Sequence, residues 1–190
     1  KVYTELIKGI TNINMMQNIL LVDDDKDVLS ALKMLLVSEG FTVILTETPN
    51  TALEAIKKNS FDLVLMDLNY SLDTTSGEEG YAHHIRKIHP SPKPPQLMRD
   101  IIKFFTKENE HVLDYFMGVG GTLLGASLSK RNGLGIDLSS KYITAYKKAS
   151  KELKLKEQST IKGDCLDILK DKKLIEKYLK NKRFSLIAID

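Results

Sequence analysis

The chain has 190 residues, of which 42% are hydrophobic and 28% charged, a composition typical of a protein with a buried core. No run approaches the roughly 20 apolar residues of a membrane span, and the first residues lack the basic start and apolar run of a signal peptide. The single cysteine, Cys165, excludes an internal disulfide and fits a reducing compartment. We therefore expect a cytoplasmic protein with no membrane partner.

The net charge of +3 conceals two segments of opposite sign. Residues 18–82 contain 4 basic and 12 acidic residues, a net charge of −8, whereas residues 83–190 contain 22 and 12, a net charge of +10. This asymmetry suggests two modules with different partners. The basic module fits a polyanion such as DNA, although a lysine-rich surface without a dedicated partner explains the charge equally well.

The first module alternates apolar runs with apolar residues at helical spacing. Residues 1–17 show no regular period and are interpreted as a leader. From there the pattern predicts a β-α-β-α-β unit, which with right-handed crossovers forms one side of a doubly wound parallel sheet. The predicted strands are 18–22, 41–46 and 61–66, and the helices between them are 28–39 and 51–58.

Acidic residues follow two of these strands. Asp23 and Asp24 follow the first, and Asp67 follows the third. Carboxylates that converge at one sheet edge favour a hard cation such as Mg²⁺. Together with the segment 67–80, this pattern resembles the receiver domain of two-component response regulators. The resemblance implies that Asp23, Asp24 and Asp67 hold Mg²⁺, that Asp67 is also the phospho-acceptor, and that a histidine kinase is a partner.

The receiver resemblance ends at Gly80, because the later strands with the switch hydroxyl and the lysine that reads the phosphate do not follow. The third strand is central in a receiver, so its free edge must here be covered or paired. Strands of the second module are predicted to supply that cover, which would give one continuous hybrid sheet.

The second module begins with a proline-rich stretch. Residues 89–95 hold four of the five prolines and must be extended rather than helical, as at a junction between modules. Alternating elements are predicted after it, with helices at 96–105, 121–131, 141–153 and 166–179 and strands at 111–115, 133–136, 159–162 and 184–189.

A glycine-rich segment, 114–122, joins a predicted strand to a predicted helix. Glycine permits a close approach of the backbone to a ligand and a positive φ, and the start of the helix offers free N–H groups. Asp137, Asp164 and Asp190 end three further strands. Because ligands bind at the carboxyl ends of such strands, a nucleotide-type site is predicted, with Asp137 placed to accept ribose hydroxyls and Asp164 an adenine amino group.

The segment Asp114-Tyr115-Phe116-Met117-Gly118-Val119-Gly120-Gly121-Thr122 resembles the Asp-Pro-Phe-x-Gly-x-Gly-Thr motif of DNA methyltransferases that modify adenine N6 or cytosine N4. Tyr115 replaces the proline, and Gly121 is an insertion-like variant. The segment 93–97 resembles the upstream cofactor motif of that family. The resemblance implies S-adenosylmethionine as the cofactor, with Phe116, Gly118 and Gly120 at its methionine part. The implied cofactor-binding residues are Lys93, Pro94, Asp114, Phe116, Gly118, Gly120, Thr122, Asp137 and Asp164.

Asp190 resembles the first residue of the catalytic Asp-Pro-Pro-aromatic motif, which orients the amino group of a flipped DNA base. The remaining motif residues do not follow it, so no methyl transfer by this polypeptide alone is expected. The predicted fold class is α/β, Rossmann-like and three-layered, with mostly parallel sheets. The predicted organisation is a leader (1–17), a partial receiver-like unit (18–82) and a methyltransferase-like unit (83–190).

Three functions stay open on the sequence. The chain is a cofactor-binding portion of a DNA methyltransferase fused to a receiver-like unit, a phospho-acceptor receiver in signal transduction, or a non-functional join of two coding fragments.

Overall fold

The computed structural model describes residues 18–67, 80–180 and 182–189. In chain order its elements are β1 (Asn18–Val22), α1 (Lys26–Ser38), β2 (Thr42–Thr46), α2 (Pro49–Lys58), β3 (Leu63–Asp67), α3 (His83–Arg86), α4 (Pro95–Phe105), β4 (His111–Asp114), α5 (Gly121–Leu128), β5 (Asn132–Asp137), α6 (Ser140–Glu152), β6 (Ser159–Lys162), α7 (Cys165–Lys170), α8 (Lys172–Leu179) and β7 (Phe184–Ile189). The predicted fold class, α/β and Rossmann-like with mostly parallel strands, is confirmed.

The chain divides into two compact units, one drawn from residues 1–70 and 166–190 and the other from residues 71–165. The predicted leader lies outside the described residues. Within the part of the chain that the structure describes, no helix combines the length and the apolar character needed to cross a membrane.

The first unit begins with the predicted β-α-β-α-β order. β1 pairs in parallel with β2 and with β3. Asp25 caps the start of helix α1, and its carboxylate accepts hydrogen bonds from the Asp27 and Val28 amides. Thr48 caps the start of helix α2 and exchanges hydrogen bonds with Thr51. Such caps satisfy amides that have no partner inside the helix, so the local sequence determines where both helices start.

A strand from the end of the sequence completes the first unit. β7 pairs in parallel with β3, so that Val64 lies opposite Leu186 and Asp67 opposite Ile189. The edge of β3 that was predicted to need cover is thus paired with a strand from the second half of the sequence. In the structure residues 166–190 belong with the first unit, whereas the sequence analysis assigned them to the methyltransferase-like unit, residues 83–190.

The second unit is built on β5, which pairs in parallel with β4 and with β6. Its core includes a cluster of buried side chains from the glycine-rich turn and from α5 and α6. Helices α4 and α5 approach closely at Gly125, where a methyl group would lie 2.7 Å from Met98 Cβ. Glycine at this position therefore permits the packing that places the start of α5 beside α4.

Buried polar groups fix the strands and helices of this unit. The side-chain oxygen of Gln158 accepts a hydrogen bond from the Gly133 backbone amide at 2.8 Å. The backbone amide of Gln158 donates to the Tyr146 hydroxyl oxygen at 2.7 Å. Burial raises the pKa of Tyr146 to about 12, so its hydroxyl stays neutral. Because buried polar groups are costly to leave unpaired, these bonds hold Tyr146 in one position beneath the glycine-rich turn.

Candidate cofactor site

The glycine-rich turn follows β4 and leads directly into α5. Gly118 has a φ of +49° and Gly120 a φ of +73°, both in the left-handed region that favours glycine. A methyl group on Gly120 would lie 2.3 Å from Tyr146 Cδ2, and one on Gly118 would lie 3.0 Å from His89 Nε2. Among the described residues, no side chain caps the start of α5. A helix start of this kind can accept an anionic or polar ligand.

Asp137, at the end of β5, is bonded to this turn. Its Oδ2 accepts a hydrogen bond from the Gly118 amide at 2.8 Å, and its Oδ1 accepts one from the Ser139 amide at 2.7 Å. A carboxylate has about four lone-pair sites, so each oxygen can accept a further donor. The structure therefore brings together Gly118 and Asp137, which the sequence analysis assigned to the methionine part and to the ribose of the predicted cofactor.

Asp114 lies beneath the turn. It is 5% exposed, and its Oδ1 accepts a hydrogen bond from the Phe116 amide at 3.2 Å. Asp114 thereby holds the first residues of the turn in place. Thr122, the last residue of the motif, is 1% exposed, and its hydroxyl has no hydrogen-bond partner among the residues described.

Two large apolar side chains, Phe116 within the turn and Leu138 directly after Asp137, are unusually exposed. Phe116 is 51% exposed and Leu138 is 68% exposed. Large apolar side chains that are exposed beside a polar site commonly contact a ligand. Phe116 was predicted as a site residue from the sequence, whereas Leu138, directly after the acidic end of β5, was not named.

The upstream segment packs against the start of α5. A methyl group on Gly121 would lie 2.4 Å from the Lys93 carbonyl oxygen, so the extra glycine of the motif makes room for this backbone. The Pro94 carbonyl accepts a hydrogen bond from the Met98 amide at 3.1 Å, which starts α4. The predicted segment that includes Lys93 and Pro94 is thus beside the glycine-rich turn.

His89 is a further neighbour of the turn that was not assigned to the site from the sequence. Its Nδ1 accepts a hydrogen bond from the Ser91 amide at 3.2 Å, and its ring contacts Tyr142 edge-on at a centroid distance of 4.8 Å. These contacts hold the ring over Gly118. The residues between Lys87 and Lys93 show no helical or strand period, so the contact could not be predicted from spacing.

Asp164 is exposed and follows β6. The preceding residue, Gly163, donates its amide to the Asp137 carbonyl oxygen at 3.0 Å, so Asp164 leaves the sheet at the same edge as Asp137. Asp190, predicted to be catalytic, lies outside the described residues, and its role stays a prediction.

The first unit contains the acidic cluster of Asp23, Asp24 and Asp67. One oxygen from each carboxylate lies within 4.8 Å of the others. Burial, and then the negative charges of Asp67 and Asp24, raises the pKa of Asp23. Three converging oxygen ligands are the donor set that a hard divalent cation prefers, so the cluster fits Mg²⁺ in its chemistry.

A family model described as DNA methylase matches residues 26–148, a range that starts within α1 and crosses the predicted module boundary. The Type II methyltransferase M.HinfI of Haemophilus influenzae is 35% identical over 86 residues, which are 45% of this chain and 24% of that protein. The transcriptional regulatory protein GlrR of Escherichia coli (strain K12) is 36% identical over 73 residues, which are 38% of this chain and 16% of that protein.

Among solved structures, a chain of the M1.HpyAVI–SAM complex is 17% identical, with a TM-score of 0.37, over 78% of this chain and 93% of that chain. The chain spans about a quarter or less of the length of the two curated relatives.

Proposed function

Since the chain belongs to the DNA methylase family, we propose that its second unit binds S-adenosylmethionine at the glycine-rich turn for methylation of DNA at adenine N6 or cytosine N4. One observation carries the proposal. The Gly118 amide donates to Asp137 Oδ2 at 2.8 Å, so the turn and the carboxylate are held together at the end of β5. The remaining lone pairs of Asp137 are available to two adjacent hydroxyl groups.

Each part of the site has a proposed role toward this cofactor. The turn at Gly118 and Gly120 admits the methionine part, because hydrogen in place of a side chain leaves the backbone open. Asp137 accepts from the ribose, Asp164 accepts from the adenine amino group, and Leu138 covers an apolar face. When bound, S-adenosylmethionine supplies a methyl group activated by a positively charged sulfur. The acidic side chains at this edge favour such a cationic ligand.

DNA is the proposed partner of the same unit. Residues 83–165, the part of the basic segment that lies in this unit, contain 15 basic and 8 acidic residues, a net charge of +7. The lysines of α6 at positions 147, 148 and 151 are exposed. Exposed cations of this density favour a polyphosphate, with an affinity that falls as the salt concentration rises.

The proposal predicts saturable binding of S-adenosylhomocysteine, the product form of the cofactor. Isothermal titration of the full chain is expected to give one site per chain, with a dissociation constant on the order of 1–100 μM, as is common for enzyme ligands. ATP, which shares the adenosine but lacks the amino-acid part, is the control ligand and is expected to bind at least about tenfold more weakly. Absence of saturable heat up to about 1 mM, the upper end of that common range, would contradict the proposal.

A second function is proposed for the first unit because the oxygens of Asp23, Asp24 and Asp67 converge within 4.8 Å. The unit would bind Mg²⁺ and accept a phosphoryl group on Asp67, with a histidine kinase as the donor. The similarity to GlrR supports this reading.

Incubation with acetyl phosphate and Mg²⁺ tests the second function. A phosphoryl group is expected to pass from acetyl phosphate to the Asp67 carboxylate, with release of acetate, and to appear as added mass on the intact chain. The variant Asp67→Asn is expected to lose the signal completely, whereas Asp27→Asn, an exposed carboxylate on α1, retains it. Labelling that survives Asp67→Asn, or no labelling of the original chain, would refute the assignment.

A further inference from the structure

Arg86 is a buried cation that has no acidic partner among the residues that the structure describes. The residue is 2% exposed, and its Nη2 donates to the Lys93 carbonyl oxygen at 2.5 Å. Its Nε has no hydrogen-bond partner among the residues that the structure describes. The guanidinium group has five donors, and the Nε–H is therefore one buried donor that the described residues leave unpaired.

This arrangement is energetically unfavourable unless an anion completes it. Removing a charge from water costs several kcal/mol when no opposite charge compensates. Burial lowers the pKa of the Arg86 guanidinium to about 10, so the group remains charged at neutral pH. Arg131, the other buried arginine, differs because it donates to Thr106 and Ser129 through several nitrogen atoms.

Arg86 lies next to the candidate cofactor site. Its hydrogen-bond acceptor, the Lys93 carbonyl oxygen, is the atom that a methyl group on Gly121 would approach to 2.4 Å. The residue directly before α3, Ala82, is also packed near the glycine-rich turn, because it belongs to the same buried cluster as Met117 and Leu123. The Lys93 carbonyl oxygen is therefore shared by the Arg86 guanidinium and by Gly121, the first residue of α5.

The backbone before Arg86 is held in an unfavourable conformation. Tyr81 and Ala82 have φ values of +56° and +55°, in the left-handed region that costs a residue other than glycine about 1 kcal/mol or more. Strain of this kind persists where the surrounding structure requires it. Here the two strained residues directly precede α3, which carries Arg86.

Building on the cofactor proposed above, we infer that Arg86 binds the α-carboxylate of the methionine part of S-adenosylmethionine. The α-carboxylate is the one anionic group of this cofactor, and the methionine part is the part proposed to lie at the glycine-rich turn. A planar guanidinium can donate two parallel hydrogen bonds to a carboxylate. The cofactor thereby supplies the counter-ion that the described protein residues do not provide.

Isothermal titration of the full chain with two ligands tests this inference. S-adenosylhomocysteine carries the α-carboxylate, whereas 5′-methylthioadenosine has the same nucleoside and sulfur without the amino-acid group. Arg86→Met is expected to lower the affinity for S-adenosylhomocysteine about tenfold or more. The affinity for 5′-methylthioadenosine is expected to change by no more than about twofold. The matched control Arg99→Met removes an arginine that is paired with Asp100 on the surface of α4, and it is expected to change neither affinity.

A ligand variant keeps the test informative if Arg86→Met does not fold. Decarboxylated S-adenosylhomocysteine is expected to bind the original chain about tenfold or more weakly than S-adenosylhomocysteine. An equal loss of affinity for both ligands in Arg86→Met, or equal binding of the decarboxylated compound by the original chain, would overturn the role of Arg86 while leaving the cofactor site intact. Binding of none of these ligands by the original chain would overturn the cofactor site and the inference together.

Discussion

Replacing Gly120 with alanine is expected to lower the free energy of unfolding of the second unit by about 2–5 kcal/mol. Two costs add up. The φ of +73° at this position is unfavourable for a residue with a Cβ atom, and the new methyl carbon would lie 2.3 Å from Tyr146 Cδ2.

Tyr146 cannot move aside at low cost. Its side chain is 0% exposed, and its hydroxyl oxygen accepts the Gln158 amide at 2.7 Å. Displacing the ring would either break this bond or open a gap in the cluster around Leu124 and Ile143. Close-packed interiors respond to such a change with strain rather than with free adjustment.

Chemical denaturation followed by circular dichroism measures this effect. Gly80→Ala is the matched control, since no atom of the described residues lies within 4 Å of a methyl group at that position. The stability of this variant is expected to change by less than about 0.5 kcal/mol. An unfolding midpoint of Gly120→Ala that equals that of the original chain would show that the turn does not have the described conformation.

Replacing Asp137 with asparagine is expected to lower the affinity for S-adenosylhomocysteine by about tenfold to a hundredfold, because one or two hydrogen bonds to a charged acceptor are lost. In the native chain two backbone amides, those of Gly118 and Ser139, donate to the two carboxylate oxygens. Asparagine has one acceptor oxygen, and its amino group would face the second backbone donor. The turn would lose one of its two attachments, and the ribose would lose an acceptor.

Titration of Asp137→Asn with S-adenosylhomocysteine gives the affinity, and a thermal scan separates lost binding from lost folding. Asp167→Asn, which changes an exposed carboxylate on α7, serves as the control and is expected to bind like the original chain. An unchanged dissociation constant in Asp137→Asn would remove Asp137 from the cofactor site.

The strands and helices could largely be predicted from the sequence because their apolar periods are local. One difference is the helix predicted at 166–179, which is divided into α7 and α8. Asp171 separates them, since its carboxylate accepts the Leu174 amide at 3.1 Å and starts a new helix. Aspartate is favoured at such a start, so this signal was present in the sequence but was weaker than the continuous apolar period around it.

The long-range contacts could not be predicted in the same way. An apolar run such as that of β7 indicates a buried strand, but it does not indicate which neighbouring strand it pairs with. The contact of His89 with Gly118 and that of Arg86 with Lys93 depend on the path of the chain between residues 80 and 95, where no repeated pattern exists. The acidic ends of strands were predictable because parallel strands necessarily present their carboxyl ends at one edge.

The pairing of β3 with β7 has a consequence for synthesis of the protein. The ribosome releases β3 more than a hundred residues before β7, which begins at Phe184. During that interval β3 exposes a row of unpaired backbone groups flanked by apolar side chains, the kind of edge that recruits other chains into aggregates. The first unit therefore matures last, and nascent chains that stall within the second unit are the ones that most need a chaperone.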